Sequence, residues 1–295
     1  MDLRCRGAKR SIAAVVPSRA AQDSLTWENV IHCRPFSSAK AEIYPRFYCR
    51  ADISVGQVLV LPPDVAHHAS HVVRLREGDN LTLFNGEAGE YRAKILSLGP
   101  QGVIVMPEMH LDIERESQLI VTLVQSLCSN EKMDWIVQKS VELGVSCFQP
   151  VTTQYSVIRL SAERAEKRTG HWQKVVISAC EQCGRNRIPP VFPLMPLSSW
   201  LESKLNECPN LDNANSQKYF MLSPTAEKGL RDFPELANAN RVNLLVGPEG
   251  GFAADEEAAA RMAGFIPLRL GKRLLRTESA GLAGLAAMQA VYGDY

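Results

Sequence analysis

Leu119-Ile120-Val121-Thr122-Leu123-Val124 is a nearly continuous apolar run, and Lys132 to Leu143 after it places apolar residues at helical spacing. A strand without polar alternation is the kind buried on both faces of a sheet, and a helix that follows it covers one of them. The same grammar repeats toward the C-terminus. Strands are predicted at Val145 to Val151, Tyr219 to Leu222, Val242 to Val246 and Phe265 to Leu270, with helices over Ser161 to Cys183, Asp255 to Ala263 and Ala280 to Tyr292. This alternation predicts an α/β domain whose mainly parallel sheet is covered by helices. Ligands of such sheets bind where loops leave the carboxyl ends of strands, which singles out the loops after Leu222, Val246 and Leu270.

Upstream the pattern differs. Between Arg46 and Met109 short apolar runs (Val58 to Leu61, Leu81 to Phe84, Tyr91 to Leu96, Val103 to Met106) are separated by turn residues, as in a small β domain. Asn85-Gly86 and Gly89 mark a tight hairpin, because glycine accepts positive φ without a Cβ penalty. Asp64 to Arg76 is predicted to be a short helix ending at Gly78-Asp79, and the polar stretch Asp112 to Ser117 separates the two domains. The expected organisation is an extension over residues 1–44, a β domain over 45–115 and the α/β domain over 116–295.

The chain has 295 residues, 45% of them hydrophobic and 22% charged, with 33 Lys plus Arg against 32 Asp plus Glu. These proportions are those of a folded protein and exclude a largely disordered or fibrous chain. No window approaches the roughly 18 apolar residues of a membrane helix, so no membrane partner is expected. The net charge of +1 divides into +3 up to Pro45 and about −2 beyond it. An Arg-rich, acid-poor leader containing Ala and Ser, followed by Arg34-Pro35-Phe36-Ser37-Ser38, resembles an organellar transit peptide. A chloroplast or mitochondrion is the expected location, and a cytoplasmic protein with a disordered extension is the alternative. The eight cysteines are scattered, in keeping with a reducing compartment. Cys180-Glu181-Gln182-Cys183 has no second C-x-x-C or spaced His pair to complete four zinc ligands. His67, His68 and His71 likewise suit a surface cluster, and no metal is expected.

The loop Gly247-Pro248-Glu249-Gly250-Gly251-Phe252 has three glycines that let backbone approach a ligand, and Asp255, Glu256 and Glu257 then open a helix. Those acids disfavour phosphate, and neither G-x-x-x-x-G-K-[ST] nor G-x-G-x-x-G is present. The loop after Leu270, Gly271 to Ala280, packs Lys272, Arg273, Arg276 and Glu278 around Leu274 and Leu275. Seven bases against three acids over Arg159 to Arg187 suit either a solvated helix face or, with Arg269 to Arg276, an RNA track.

L-V-G-P-E-G-G-F at Leu245 to Phe252, L-G-K-R-L-L-R-T-E-S-A at Leu270 to Ala280, E-K-M-D-W-I-V-Q-K-S-V-E-L-G-V at Glu131 to Val145 and A-C-E-Q-C-G-R-N-R-I-P at Ala179 to Pro189 resemble the RsmE family. The resemblance runs from about Pro45 to the C-terminus. It implies a SPOUT-type, trefoil-knotted α/β methyltransferase domain preceded by a small PUA-like β-barrel. It further implies S-adenosylmethionine as methyl donor and N3 of one uridine in small-subunit (16S-type) ribosomal RNA as acceptor, within free RNA or a ribosomal particle. A homodimer is also implied, and the small residues Ala280, Ala283, Gly284, Ala287 and Ala290 of the last helix would permit close approach of a partner or of the chain's own core. By position, Leu222, Gly247, Gly250, Leu270 and Leu275 would contact the cofactor, while Arg46, Arg74 and Arg76 would contact RNA. His71 and Tyr155 depart from the family pattern, which commonly has Arg and E-R-S at those places.

Methylation at N3 requires loss of the imide proton and stabilisation of charge on the flanking carbonyls. Arg276 is the expected donor, with Arg185 and Gln182 further candidates for positioning phosphate or base. Glu278 is either the proton acceptor or the ion-pair partner that orients Arg276. A non-catalytic RNA-binding ribosome assembly factor on the same scaffold is the alternative reading.

Overall fold

The computed structural model describes residues 44–87, 89–206, 217–234 and 239–295. The leader expectation therefore lies outside the described residues, apart from Tyr44.

Five strands build the first sheet: β1 (Arg46–Tyr48), β2 (Leu59–Val60), β3 (Asn80–Phe84), β4 (Glu90–Gly99) and β5 (Gly102–Leu111), in the order β1-β3-β4-β5-β2. β1 lies parallel to β3, and the remaining pairs are antiparallel. Alternate residues of β3 to β5 face one core, among them Leu81, Leu83, Ala93, Ile95, Val103 and Val105, joined by Phe47. At the hairpin Gly86 and Gly89 take φ of 91° and 86°, the conformation for which glycine was expected.

The helix predicted from Asp64 to Arg76 is shorter. Helix α1 (Pro63–His67) widens into a π-helical turn over His68–Val72. That turn closes when Val73 N–H donates to His68 O and Leu75 N–H to Ala69 O, both at 2.9 Å. Arg74 between them has φ of 63°, a left-handed conformation strained for a residue with a Cβ. Helical spacing continued in the sequence, but the wrapped-back closure ended the helix.

The second sheet contains β6 (Ile120–Ser126), β7 (Cys147–Thr152), β8 (Met195–Pro196), β9 (Gln217–Leu222), β10 (Arg241–Val246) and β11 (Ile266–Leu268). Their order is β11-β9-β10-β6-β7-β8, and every pairing is parallel. Around it lie α2 (Asn130–Glu142), α3 (Ala162–Cys183), α4 (Leu197–Asn206), α5 (Ala254–Met262) and α6 (Thr277–Tyr292). β8 and α4 were not anticipated. Leu197, Trp200 and Leu201 bury α4 against the sheet.

Both faces of this sheet are covered, which is why its strands read as continuous apolar runs. Leu123, Phe220 and Leu244 join the core with Met133, Ile136, Trp172, Leu285 and Met288 of α2, α3 and α6. Their neighbours Val124, Met221 and Leu245 face the opposite way, toward α4 and α5. Helix α6 approaches the sheet unusually closely, since a Cβ on Gly284 would come within 3.0 Å of Leu244. Ala283, Ala290 and Val291 remain exposed on α6.

Candidate active site

The loops after β9, β10 and β11 meet over the carboxyl ends of neighbouring strands and line one cavity of about 690 Å³. Leu222, Gly247, Gly250, Leu270, Leu275 and Arg276 all line it, so the sequence-predicted cofactor residues and one catalytic candidate come together. The glycines are needed for space. A Cβ on Gly247 would lie 3.1 Å from the Phe252 ring, and one on Gly250 would lie 3.1 Å from Tyr155 Cβ. Thr277, buried at the start of α6, fastens the floor: its hydroxyl donates to Gly247 O at 2.6 Å and accepts from Gln125 Nε2 at 3.1 Å. Loop, helix and central strand are thus held in one geometry.

Charge is concentrated at one side of the cavity. Arg276 occupies the N-cap of α6 with an exposed side chain, and Glu278 follows in the first turn. Lys132, from the first turn of α2, donates to Glu249 Oε1 at 2.8 Å and lies 3.3 Å from Glu278 Oε2. Burial pushes the Glu278 carboxyl up, yet its own helix-start N–H, the Lys132 ammonium and Arg276 outweigh that and hold it below the ordinary carboxylate range. A carboxylate held down in this way is ionised but a weak proton acceptor, and among the described residues its ion pair is with Lys132 and not with Arg276. Lys132 is shifted upward, chiefly by its hydrogen bond to Glu249. Burial, reinforced by Glu249, pushes the nearby Cys128 thiol up to about 12, which leaves it without thiolate character at neutral pH. Lys132 and Glu249 were not among the expected site residues. Both stand inside the E-K-M-D-W and G-P-E-G-G motifs, but nothing local in the sequence says that an α2 lysine reaches across to the β10 loop.

Other expected residues are placed elsewhere. Arg185 does not line the cavity; it is 6% exposed, its Nε donates to Glu116 Oε1 at 2.9 Å, and Nη2 pairs with the same carboxylate. Its Nη1 donates to the carbonyls of Val141 at 3.0 Å and Val145 at 2.8 Å. A buried guanidinium requires such saturation, and a cation so enclosed is not available to a substrate. The expected catalytic role of Arg185 is therefore corrected to a structural one. Arg46 is corrected in the same sense. It pairs with Glu90, donates to Asn186 Oδ1 at 2.7 Å and reaches the carbonyls of Gly184 and Arg185, joining the β domain to the segment after α3 instead of facing RNA. Gln182 is exposed on α3 but not at the cavity, and Arg74 and Arg76 are exposed on the β domain.

The remaining chemical candidates lie away from the cavity. Cys180 and Cys183 both lie on α3, and burial pushes the Cys180 thiol up to about 12. His67 stacks on His71 with ring centroids 4.7 Å apart. Among the described residues no group of three or more His, Cys, Asp and Glu is placed to hold a metal ion, and no helix is long and apolar enough to cross a membrane.

Comparison with known proteins agrees with this geometry. The family model of the RNA methyltransferase domain matches residues 115–289, and that of the RNA methyltransferase PUA domain matches residues 61–107. A ribosomal RNA small subunit methyltransferase E from Buchnera aphidicola is 32% identical over 250 residues, which cover 85% of this chain and 97% of that protein. The chain belongs to the RNA methyltransferase E family. Among solved family structures, a ribosomal RNA small subunit methyltransferase E from Neisseria gonorrhoeae bound to S-adenosyl methionine is 38% identical, with a TM-score of 0.76 over 86% of this chain and 100% of that one. A putative methyltransferase from Legionella pneumophila, in complex with the bound cofactor SAM, is 36% identical with a TM-score of 0.77 at the same coverage. The fold is accordingly that of an α/β RNA methyltransferase domain with a PUA-like β domain before it.

Proposed function

We propose that this protein transfers a methyl group from S-adenosylmethionine to N3 of a specific uridine in small-subunit ribosomal RNA. The observation that carries the reading is the convergence of three strand-end loops on one cavity, with bare glycine backbone and leucines within and Arg276 at its edge. Such a lining suits an adenosyl ligand, whose ring takes apolar contacts and whose edge takes backbone hydrogen bonds. Two family members solved with that cofactor support the choice.

The bound cofactor supplies an electrophilic methyl group. The chain's own residues do the rest. Leu222, Leu270 and Leu275 exclude water, Gly247 and Gly250 admit the ligand to the backbone, and Thr277 fixes the loop that presents it. Arg276 is suited to hydrogen-bond a uracil carbonyl as negative charge develops there on loss of the N3 proton. Holding the methyl carbon and N3 in line supplies further acceleration through orientation, worth up to about 7 to 11 kcal/mol. Arg74 and Arg76 would hold RNA phosphates on the β domain.

The reading includes a trefoil-knotted passage of the cofactor loops, a homodimer and organellar import directed by residues 1–44. The dimer draws support from the exposed small residues Ala283 and Ala290 of α6 and the half-exposed Trp135 of α2, and sedimentation equilibrium tests it. The central experiment is incubation of the purified protein with labelled S-adenosylmethionine and small-subunit particles lacking the modification. N3-methyluridine in the digested RNA is expected; absence of transfer to both particles and free RNA would remove the proposal.

A further inference from the structure

We infer that Lys132 is a positioning residue of the methyl-transfer site, tying the glycine loop after β10 to the start of α6 and keeping Glu278 anionic beside Arg276. The inference deepens the proposed methyltransferase reading and rests on it for the transfer step alone.

The geometry is specific. Lys132 stands in the first turn of α2, a helix that buries Met133, Ile136 and Val137 in the core, yet its ammonium reaches two cavity segments at once: Glu249 at 2.8 Å and Glu278 at 3.3 Å. Glu249 belongs to the loop that bears Gly247 and Gly250, while Glu278 is two residues from Arg276. Lys132 and Glu249 both line the cavity. The 3.3 Å contact is an ion pair without directed hydrogen-bond geometry, since Glu278 Oε2 is buried and has no hydrogen-bond partner. A buried carboxylate oxygen that lacks a donor depends on nearby positive charge to stay ionised.

The charged and titratable groups around this carboxylate are few. Lys132 comes from α2, Arg276 from the preceding loop and the Cys128 thiol from the segment before α2, while Glu249 of the glycine loop shares Lys132 with it. Its own helix-start N–H and the two cations favour the ionised form, and of the cations Arg276 has its exposed side chain available to substrate. Without Lys132, Glu278 would protonate at a higher pH, so that the negative charge beside Arg276 is lost earlier on the acid side, and Glu249 would lose its anchor. Both consequences act on the reaction through other residues, which makes Lys132 a positioning residue and not a catalytic one.

The test follows the Glu278 carboxyl by carbon NMR in the full-length protein, assigned by its disappearance in Glu278→Gln. Replacement Lys132→Gln is expected to raise its titration midpoint by on the order of one pH unit, as loss of a neighbouring opposite charge does. The acid limb of kcat/KM for methyl transfer should move with it, S-adenosylmethionine affinity should fall several-fold, and Lys132→Arg should restore all three. An unchanged Glu278 titration with an unchanged acid limb in folded Lys132→Gln would overturn the inference, as would failure of Lys132→Arg to restore them. Should Lys132→Gln not fold, Glu249→Gln serves instead: releasing Lys132 to Glu278 alone must lower the Glu278 midpoint, and a rise would count against the role. If the wild-type protein transfers no methyl group, the functional reading fails while the titration still decides Lys132.

Discussion

Two arginine-rich places in this molecule have opposite physics. Where the β domain meets the segment after α3, Arg46, Arg115 and Arg185 are bound to Glu90, Glu116 and the carbonyl of Gly184, with Arg46 and Arg185 largely withdrawn from water. At the cavity edge Arg273 and Arg276 are exposed, and among the described residues neither has an ion pair within 4 Å. A guanidinium that is desolvated must already have its partners, while one left in water keeps its donors for a ligand. The same residue type therefore marks a joint in one region and a candidate reaction site in the other. Motif membership does not separate them, because G-R-N-R and L-R-T-E look equally functional as strings.

The sharpest way to break this contrast is to truncate one arginine from each place. Arg185→Ala is expected to destabilise the fold by about 3 to 5 kcal/mol, since it strands Glu116 and two buried carbonyls without their donor. Denaturant unfolding measures this, and a loss under 1 kcal/mol would mean the joint is not an energetic one. Arg276→Ala should do the reverse, leaving the unfolding midpoint unchanged while lowering kcat by about 100 to 1,000-fold, the usual cost of one oxyanion-type donor. Equal turnover would take Arg276 out of the mechanism.

Smaller effects test the cavity's crowding. In Gly250→Ala the new methyl group meets Tyr155 Cβ at 3.1 Å, and overpacking of this kind costs about 1 to 3 kcal/mol, expected here in cofactor affinity. Calorimetry of S-adenosylmethionine binding reads it, and Tyr155→Gly in the same chain, which removes that Cβ, should recover most of the loss; no recovery would place the strain elsewhere. The smallest effect is a pH dependence at the joint. Burial pushes the Glu90 carboxyl up, but hydrogen bonds from Arg115 and Arg46 and their charge bring it below its ordinary value. A folded value below the unfolded one makes stability fully present above the unfolded pKa and lost as pH falls through the folded pKa. The acid side of the stability profile should therefore be shallower in Glu90→Gln than in the wild type, and parallel profiles would contradict the assignment.

Much of the fold could be read directly. Leu123 and Val124, Phe220 and Met221, and Leu244 and Leu245 are adjacent apolar pairs whose members enter opposite cores, and such pairs identify a strand buried on both sides without any coordinates. The hairpin glycines were equally legible, because positive φ at Gly86 and Gly89 is a local requirement. The end of α1 was not, since it is closed by backbone bonds from Val73 and Leu75 that helical periodicity does not encode. α4 escaped notice because its segment offered too short an apolar pattern beside Pro193 and Pro196 to distinguish helix from loop.

At the site, the sequence by itself determined the loops and their glycines: strand alternation fixes which ends of the sheet gather ligands, and tight backbone there admits no side chain. It also determined that Arg276 and Glu278 stand one helical turn or less apart at the opening of α6. Tertiary structure alone decided which charges are available. Lys132 meets Glu249 across 117 positions of chain, and Arg46 meets Asn186 across 140. Ion pairs at such separations are set by how two domains and five crossovers pack, and desolvation, not residue type, then decides whether an arginine holds the protein together or waits for a substrate.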